Sequence, residues 1–371
     1  MTRVWKYMAR VLVVGSGLAG LGAALEASLR GHQVVILERK KQLGGKSTST
    51  DFDGIPVGYG PHLLLKNGPL HKLVKKLSRM KPRVTPLLAG KIEILGHGLL
   101  KPVDDVKKSM ELKKAVKTGD FENKSLIAAE FISSWNIGSE ERRNALLNNK
   151  LVCTNEGWQG IVGRLMIALD EVGVYLEKGR SVNKIDGKNV ILDDGKDTIA
   201  DYVILACGMK EASRILQNSG LKALPKAMPI SASTIEVALD SYPFSGKHAE
   251  VDIENKTAIF DLRRIAPGLS GLGSHLSAIR ILQGDEDAEY NLNNLESMLD
   301  KRCAGWKDHI IAIRKTKNVS IGVQTSDRIE PDLYIERNII LAGDWVKGEH
   351  ILSDGALESG RNSARLFPKS R

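Results

Sequence analysis

Cysteine is scarce and scattered in this sequence. The 371 residues contain only three cysteines, Cys153, Cys207 and Cys303, and no two of them form a C-x-x-C pair. This spacing excludes a disulfide framework, a zinc site built on cysteine pairs and a dithiol redox centre. We therefore expect a protein of a reducing compartment, the cytoplasm.

Long apolar runs and aromatic residues are also lacking. The most apolar stretch, residues 11–29, is interrupted by several glycines and by Glu26, whereas a membrane-spanning helix needs about 20 mainly apolar residues. Aromatic residues make up 5% of the chain, and no paired-aromatic cage for an amine is visible. We therefore expect neither a membrane span nor an amine cage.

Positive charge is abundant but local. The chain carries a net charge of +10, and residues 66–117 alone hold fourteen Lys and Arg against four Asp and Glu. The rest of the chain is therefore neutral, which argues against general nucleic-acid binding. Two interpretations of the basic segment stay open: contact with an anionic membrane surface, or a solvated outer face. The amphipathic pattern of residues 69–80 predicts a helix within it.

The N-terminal region predicts a βαβ unit. A β-branched run ends in Gly15-Ser16-Gly17-Leu18-Ala19-Gly20, a helix-period segment follows, and a second strand, 33–37, ends at Glu38. Met8 stands directly before the first strand, so we expect residues 1–7 to be dispensable. Further apolar runs predict strands at 182–185, 189–192, 202–206 and 339–342, and alternation within 230–320 predicts an antiparallel sheet.

The glycine spacing of this unit indicates dinucleotide binding. Gly15 permits a tight turn, Gly17 lets backbone approach a pyrophosphate, and Gly20 lets the helix pack closely on the strand. The backbone N–H groups at the start of the helix, from Leu18 and Ala19 onward, would meet the phosphates. Glu38 would accept hydrogen bonds from ribose hydroxyls and would repel a 2′-phosphate, which disfavours NADP.

A second motif narrows the cofactor. The stretch LERKKQLGGKSTS, with Glu38, Arg39, Gly44, Gly45 and Lys46, resembles the Glu…Gly-Gly-Arg/Lys signature of one flavoprotein superfamily. That superfamily includes amine oxidases, protoporphyrinogen oxidase and carotenoid desaturases. The resemblance implies that the glycine pair wraps the FAD pyrophosphate, with basic side chains close by. The next block of the family ends in Gly-x-His, which implies cofactor-binding roles for Gly60 and His62.

The middle and the end of the chain extend this resemblance. Val182 matches a position whose backbone contacts the adenine in the family. The tail, AGDWVKGEHILSDGALESG, resembles the strand and helix that complete the FAD site. It implies that Gly343 and Asp344 reach the ribityl chain or pyrophosphate. It also implies that the N–H groups of Gly355 and Ala356 face the flavin, with Ser353 or Asp354 capping the helix.

Together these motifs imply an α/β fold. We expect a Rossmann-type FAD-binding domain with a parallel sheet (8–80, 151–215 and 320–371) and a smaller substrate domain with a mixed or antiparallel sheet and helices (81–150 and 216–319). With no cysteine between Asp344 and Gly360, FAD should be bound non-covalently. No metal site is expected.

The resemblance implies an FAD-dependent oxidoreductase acting on a small apolar substrate, with isoprenoid and porphyrin-like compounds as candidates. An amine oxidase using O2 is the first alternative. A non-enzymatic binding protein of the GDP-dissociation-inhibitor type, which shares this architecture, is the second. No catalytic base can be named: the candidates are His62, His275 and His350, and a lone histidine is more often structural. Electron acceptor and oligomeric state stay open.

Overall fold

The computed structural model describes residues 8–77, 81–101, 124–244, 246–271 and 273–369. The expectations for residues 1–7, for the end of the predicted helix at 78–80 and for residues 102–123 of the basic segment lie outside these ranges. All structural statements below concern the described residues.

The helices and strands are numbered in chain order. The helices are α1 (Leu18–Leu29), α2 (Pro69–Leu77), α3 (Lys124–Ser134), α4 (Glu140–Leu147), α5 (Gly157–Glu171), α6 (Met209–Asn218), α7 (Leu262–Ile265), α8 (Ala288–Arg302) and α9 (Leu352–Arg365). The strands are β1 (Arg10–Val14), β2 (Gln33–Glu38), β3 (Thr50–Phe52), β4 (Ile55–Val57), β5 (Leu64–Leu65), β6 (Val84–Pro86), β7 (Ile92–Ile94), β8 (Gly98–Leu99), β9 (Leu151–Thr154), β10 (Tyr175–Lys178), β11 (Val182–Asp186), β12 (Asn189–Leu192), β13 (Asp197–Ile199), β14 (Tyr202–Leu205), β15 (Pro229–Leu239), β16 (Ala249–Asp252), β17 (Thr257–Asp261), β18 (His275–Ile281), β19 (Ile310–Val323) and β20 (Ile339–Leu341).

The chain divides into two compact units. Unit 1 comprises residues 1–48, 162–228 and 325–371, and unit 2 comprises residues 49–161 and 229–324. These boundaries differ from the predicted ones, because residues 49–77 and 151–161 belong to unit 2. The physical reason is strand pairing: β5 and β6 both pair with β9. Unit 2 also contains more than half of the residues, so it is not the smaller of the two.

Unit 1 is built on a five-stranded parallel sheet. Its strand order is β10-β2-β1-β14-β20, and every pairing within it is parallel. The central strands are near-continuous runs of buried Val, Ile and Leu, which is typical of strands covered on both faces. The predicted Rossmann-type arrangement is confirmed. The strands predicted at 182–185 and 189–192 are present as the antiparallel pair β11 and β12, and β13 pairs with β12.

Unit 2 is built on a seven-stranded mixed sheet. Its order is β19-β15-β18-β17-β16-β7-β8, antiparallel throughout except for the parallel pair β16 and β7. Helix α8 packs Leu292, Leu295 and Leu299 into a core cluster with strand residues that include Ile235 and Leu276. The predicted mixed sheet with helices is therefore confirmed.

Helix α2 is amphipathic, as its sequence predicts. Its apolar residues Leu70, Leu73 and Val74 are buried within unit 2, while Lys72 and Lys75 are exposed. Among the described residues, no helix is long and apolar enough to cross a membrane.

Candidate functional site

The loop between β1 and α1 has the geometry of an anion cradle. Gly15 adopts a φ of 106°, and a Cβ at Gly20 would lie 1.9 Å from the carbonyl oxygen of Gly15, so neither position tolerates a side chain. Gly17 caps α1 without a side-chain hydrogen bond. The first intrahelical bond runs from the Leu21 N–H to the Gly17 carbonyl at 2.9 Å. The N–H groups of residues 18–20 precede that bond and have no acceptor among the described residues, as an anion-binding helix start requires.

The two glycine motifs predicted from sequence face each other in unit 1. The Gly44 N–H donates to the Ser16 carbonyl at 3.0 Å, and Gly17 and Gly44 form a parallel bridge. A Cβ at Gly45 would lie 3.0 Å from the Gly17 Cα, whereas a Cβ at Gly17 would meet nothing closer than the Gly45 Cα at 4.0 Å. The two backbones therefore approach each other closely. The space into which a Gly17 side chain would point is free of atoms of the described residues.

The Glu38 carboxylate is buried and largely occupied. One oxygen accepts from the Ser16 N–H at 2.9 Å and from the Ser16 hydroxyl at 2.7 Å. The other accepts from the Lys40 N–H at 2.9 Å. A carboxylate offers about four acceptor positions, so one is left for a ribose hydroxyl. The sequence did not single out Ser16, which fixes both the loop and the carboxylate.

The tail returns to the glycine motifs through a charged pair. Asp344 forms an ion pair with Lys46, and the Asp344 side chain is the less exposed partner. β20 extends the parallel sheet beside β14. The Gly343 N–H donates to the Ser359 hydroxyl at 3.1 Å. Residues predicted to share one site from opposite ends of the chain are thus brought together within unit 1.

Helix α9 packs directly on α1. A Cβ at Gly360 would lie 1.9 Å from the carbonyl oxygen of Ala19, and a Cβ at Gly22 would lie 3.0 Å from the carbonyl oxygen of Leu357. Arg361 adds an ion pair to Glu26 at 2.9 Å. Gly360 therefore allows the tail helix to approach α1 and the glycine loop closely.

The start of α9 differs from the prediction. The helix begins at Leu352, and its N-cap, Ile351, makes no side-chain cap bond, so Ser353 and Asp354 lie inside the first turn and do not cap it. The Gly355 N–H already donates to the Ile351 carbonyl at 3.1 Å. The N–H groups without an intrahelical acceptor are therefore those of residues 352–354, one turn earlier than predicted.

Val182 is held by a charged network. Its carbonyl accepts from the Arg214 guanidinium at 2.6 Å, and Arg214 pairs with Glu211 at 2.7 Å. Arg39 lies 3.8 Å from the second Glu211 oxygen. The hydrogen bond to Glu211 raises the pKa of Arg214. One lone pair of the Val182 carbonyl is thus already used, which the sequence alone did not indicate.

A buried guanidinium lies close to Asp344. Arg328 donates to the His350 carbonyl at 2.8 Å. Burial lowers the pKa of Arg328, and the carboxylates of Asp344 and Glu358 oppose this effect. The Glu349, His350 and Glu358 side chains place ligand atoms within 4.8 Å of one another. The positive charge of Arg328 near Glu358 disfavours a cation there.

Gly60 and His62 belong to unit 2, and the His62 ring is fully engaged there. Its Nδ1 accepts from the Trp158 N–H at 3.0 Å, and its Nε2 faces Glu236 at 3.2 Å. The other Glu236 oxygen faces His275 Nε2 at 3.1 Å and accepts from the Gly58 N–H at 2.7 Å. The cofactor role assigned to Gly60 and His62 by resemblance stays a prediction, and for His62 only backbone atoms would be available.

The contacts of this buried cluster explain why Glu236 is ionised. His62 accepts the Trp158 N–H at Nδ1 and faces Glu236 with Nε2. His275 has an acceptor at each nitrogen, Glu236 at one and the Leu269 carbonyl, 3.2 Å away, at the other. Each nitrogen of the His275 ring therefore faces an acceptor. Burial alone would raise the pKa of Glu236, but the imidazoles of His62 and His275 outweigh it and lower that pKa to about 2.

Comparison with known proteins agrees with this geometry. A profile of NAD(P)-binding Rossmann-like domains matches residues 13–77. A 4,4'-diapophytoene desaturase of Staphylococcus haemolyticus is 38% identical over 55 residues, which are 15% of this chain and 11% of the desaturase. Coproporphyrinogen III oxidase of Propionibacterium freudenreichii is 31% identical over 94 residues, 25% of this chain and 18% of that protein.

Solved structures extend the similarity to the whole fold. An oxidoreductase from Methanosarcina mazei has a TM-score of 0.70 at 19% identity and covers 96% of this chain and 100% of its own. The sequence relatives and structural neighbours include desaturases, porphyrinogen oxidases and amine oxidases of the flavin amine oxidase-like superfamily. The similarity agrees with the family predicted from the glycine motifs, whose members are FAD-dependent oxidoreductases. The matched segments span less than a fifth of each of these two curated relatives, so the similarity leaves the substrate open.

Proposed function

We propose that this protein is an FAD-dependent oxidoreductase that takes hydride from a small apolar substrate. The observation that carries the proposal is the convergence of three separated motifs in unit 1. The loop at 15–20, the pair Gly44-Gly45 and the tail at Gly343-Asp344 are linked by the Gly44–Ser16 hydrogen bond and the Lys46–Asp344 ion pair. An ordinary Rossmann turn needs only the first of these.

The residues of unit 1 fit an FAD molecule. The free N–H groups of residues 18–20 would hold the pyrophosphate, and the open space at Gly17 admits it. Glu38 has one acceptor position left for the ribose, and Val182 would meet the adenine through its backbone. Lys46 would offset the phosphate charge, with Asp344 holding its ammonium in place.

When bound, FAD supplies a hydride acceptor at its N5 position. The protein would contribute electrostatics at the flavin. The start of α9 carries a partial positive charge, and its first free N–H groups belong to residues 352–354. Placed beside the ring, they would stabilise the negative charge that reduction creates. No residue needs to act as a general base in this scheme.

An apolar substrate is favoured over an amine for two reasons. The chain is poor in aromatic residues, at 5%, so it offers little material for an amine cage. A matched relative is also named for desaturation of diapophytoene, a hydrocarbon. Amine oxidases occur among the similar proteins as well, including a cyclohexylamine oxidase that shares the fold, so amine oxidation is the second candidate.

The test is to mix the FAD-loaded protein with candidate substrates in the absence of oxygen. Reduction of the flavin is measured as loss of its visible absorbance. The expected result is bleaching by a polyene precursor or porphyrinogen supplied in detergent, and none by primary amines. Bleaching by amines, with peroxide released on admitting air, would favour the amine oxidase. Failure to retain any FAD would contradict the proposal and favour the non-enzymatic binding protein of the GDP-dissociation-inhibitor type.

Contact with an anionic membrane would be electrostatic only. The apolar face of α2 is buried in unit 2 and cannot insert into a bilayer. The solvent-exposed side chains of the helix are Lys72, Lys75 and Lys76. None of these three lysines has an ion-pair partner among the described residues. Co-sedimentation with anionic vesicles should therefore disappear at high salt. Equal recovery with neutral and anionic vesicles would contradict this contact.

A further inference from the structure

A polar cavity lies in unit 2. Its volume is about 440 Å³, and it is lined by residues from three places in the chain: the segment after β15, the junction of β17 and α7, and the residue before β18. This volume is in the range of small-molecule pockets. Phe244 and Ser274 are buried at its walls, whereas Arg263 and Arg264 are exposed.

Arg263 is held in place without being neutralised by direct pairing. Its guanidinium carbon lies 4.2 Å from the centroid of the Tyr242 ring. Stacking of this kind engages the flat face of the guanidinium and leaves its N–H edge for planar, bidentate contacts. Within the described ranges, no carboxylate lies at ion-pair distance from Arg263, although the field of Asp261 reaches it.

Arg264 adds a second guanidinium, and Asp261 anchors it. Its Nε donates to Asp261 at 3.2 Å, and the other Asp261 oxygen accepts the Arg263 backbone N–H at 3.1 Å. Both oxygens of Asp261 are thus engaged by the protein. A Cβ at Gly246 would lie 3.1 Å from one terminal nitrogen of Arg264, so the glycine makes room for that end. The cavity is therefore lined by two guanidinium groups and one carboxylate, which leaves an excess of positive charge.

His248 adds a neutral donor. Its Nδ1 accepts from the Leu88 N–H at 3.2 Å, which places the ring proton on Nε2. Burial, Arg264 and Lys91 lower the pKa of His248, so the ring is uncharged at neutral pH. Its Nε2–H has no acceptor among the residues that the structure describes. The cavity therefore presents donors from three side chains.

We propose that this cavity binds the phosphoryl group of a small organic phosphate. Arg263 and Arg264 come from α7 and His248 from the segment before β16, and donors from three side chains suit a tetrahedral group with several oxygens better than a planar carboxylate. The excess of guanidinium over carboxylate matches an anionic ligand. Tyr242 and Phe244 offer apolar surface for the rest of the molecule. The site lies wholly in unit 2 and does not depend on FAD binding in unit 1.

The test is calorimetric titration of the full chain with inorganic phosphate and with phenyl phosphate, at constant ionic strength. The protein is first saturated with FAD, so that the phosphates cannot enter unit 1, and Gly17→Glu protein is titrated in parallel. The expected result is one saturable site per chain in both proteins, with phenyl phosphate binding more tightly because of the aromatic wall. Binding lost in Gly17→Glu would place the phosphate in unit 1 and overturn the proposal.

Two variants locate the site. Arg263→Ala removes an exposed side chain and should fold, and it should weaken phosphate binding about tenfold or more. Arg314→Ala is the matched control, since Arg314 is also stacked on a tyrosine of unit 2, 3.5 Å from the Tyr59 centroid, but does not line the cavity. It should leave the affinity unchanged. Equal losses in both variants, or no saturable binding to the wild type, would overturn the proposal.

Discussion

Glu236→Gln should destabilise unit 2 strongly at neutral pH. Glu236 is fully buried and has His62 on one side and His275 on the other. The substitution keeps the shape of the side chain but removes the carboxylate charge that both rings and the Gly58 N–H face. Hydrogen bonds to a charged group are typically worth about 1.5–3 kcal/mol each.

The lowered pKa of Glu236 gives a second value for the stability that this carboxylate contributes. Its fall from 4.5 to about 2 corresponds to about 3 kcal/mol of unfolding free energy, at about 1.4 kcal/mol per unit. Because the folded-state pKa is the lower one, this stability is fully present above pH 4.5 and is lost as the pH falls from 4.5 towards 2. The difference between wild type and Glu236→Gln should be present at pH 5 and should shrink as the pH falls from 4.5 towards 2.

The assay is urea unfolding followed by tryptophan fluorescence. Trp158 reports on the cluster, because its ring lies 5.8 Å from that of His62. Glu296→Gln is the matched control: Glu296 pairs with Lys315 at 2.9 Å, with both side chains partly exposed, and should cost less than about 1 kcal/mol. A loss below 1 kcal/mol for Glu236→Gln at pH 7, or a difference that does not change below pH 4.5, would refute the reasoning.

Three further predictions concern packing, cofactor binding and thiol reactivity. Gly360→Ala should lower the stability of unit 1 and its FAD affinity, because the new Cβ would lie 1.9 Å from the Ala19 carbonyl oxygen. The control Gly163→Ala, in α5 with no atom within 4 Å, should raise stability by about 0.5–1 kcal/mol; thermal unfolding that ranks the two alike would contradict this. Asp344→Asn should weaken FAD binding about tenfold, because Lys46 loses its partner; an unchanged dissociation constant by fluorescence quenching would argue against it. Burial raises the pKa of Cys207 and Cys303 to about 12 and raises that of Cys153 further. None of the three should react with a thiol reagent at pH 8 until the protein is unfolded, and rapid labelling of the native protein would show otherwise.

Local patterns carried most of the unit 1 prediction. The glycines at 15, 17 and 20 and the β-branched runs are read from short windows, because their roles depend on backbone conformation and on burial at both sheet faces. The contact between the tail and the N-terminal motifs was inferred from resemblance. The Lys46–Asp344 pair joins residues 298 positions apart, and no local pattern encodes such a pairing.

The features that were missed depend on tertiary pairing. Glu236 reads as one polar residue in an alternating strand, and its partners His62 and His275 lie 174 and 39 positions away. The unit boundary was misplaced because β9 pairs with β5 and β6, a long-range choice. The start of α9 was set too late, because Ser353 and Asp354 are favoured N-cap types, whereas the chain turns at Leu352 with a φ of 56°.

The most direct test of the FAD site is the flavin content of Gly17→Glu protein. A Cβ at Gly17 meets only the Gly45 Cα, at 4.0 Å, so the variant should fold normally while its side chain occupies the phosphate cradle. Gly163→Glu, at an exposed position with open space, is the control. After equilibration with FAD and gel filtration, wild type and Gly163→Glu should each retain about one FAD per chain, and Gly17→Glu should retain none. Wild-type protein without flavin absorbance, or equal FAD content in Gly17→Glu, would contradict the account.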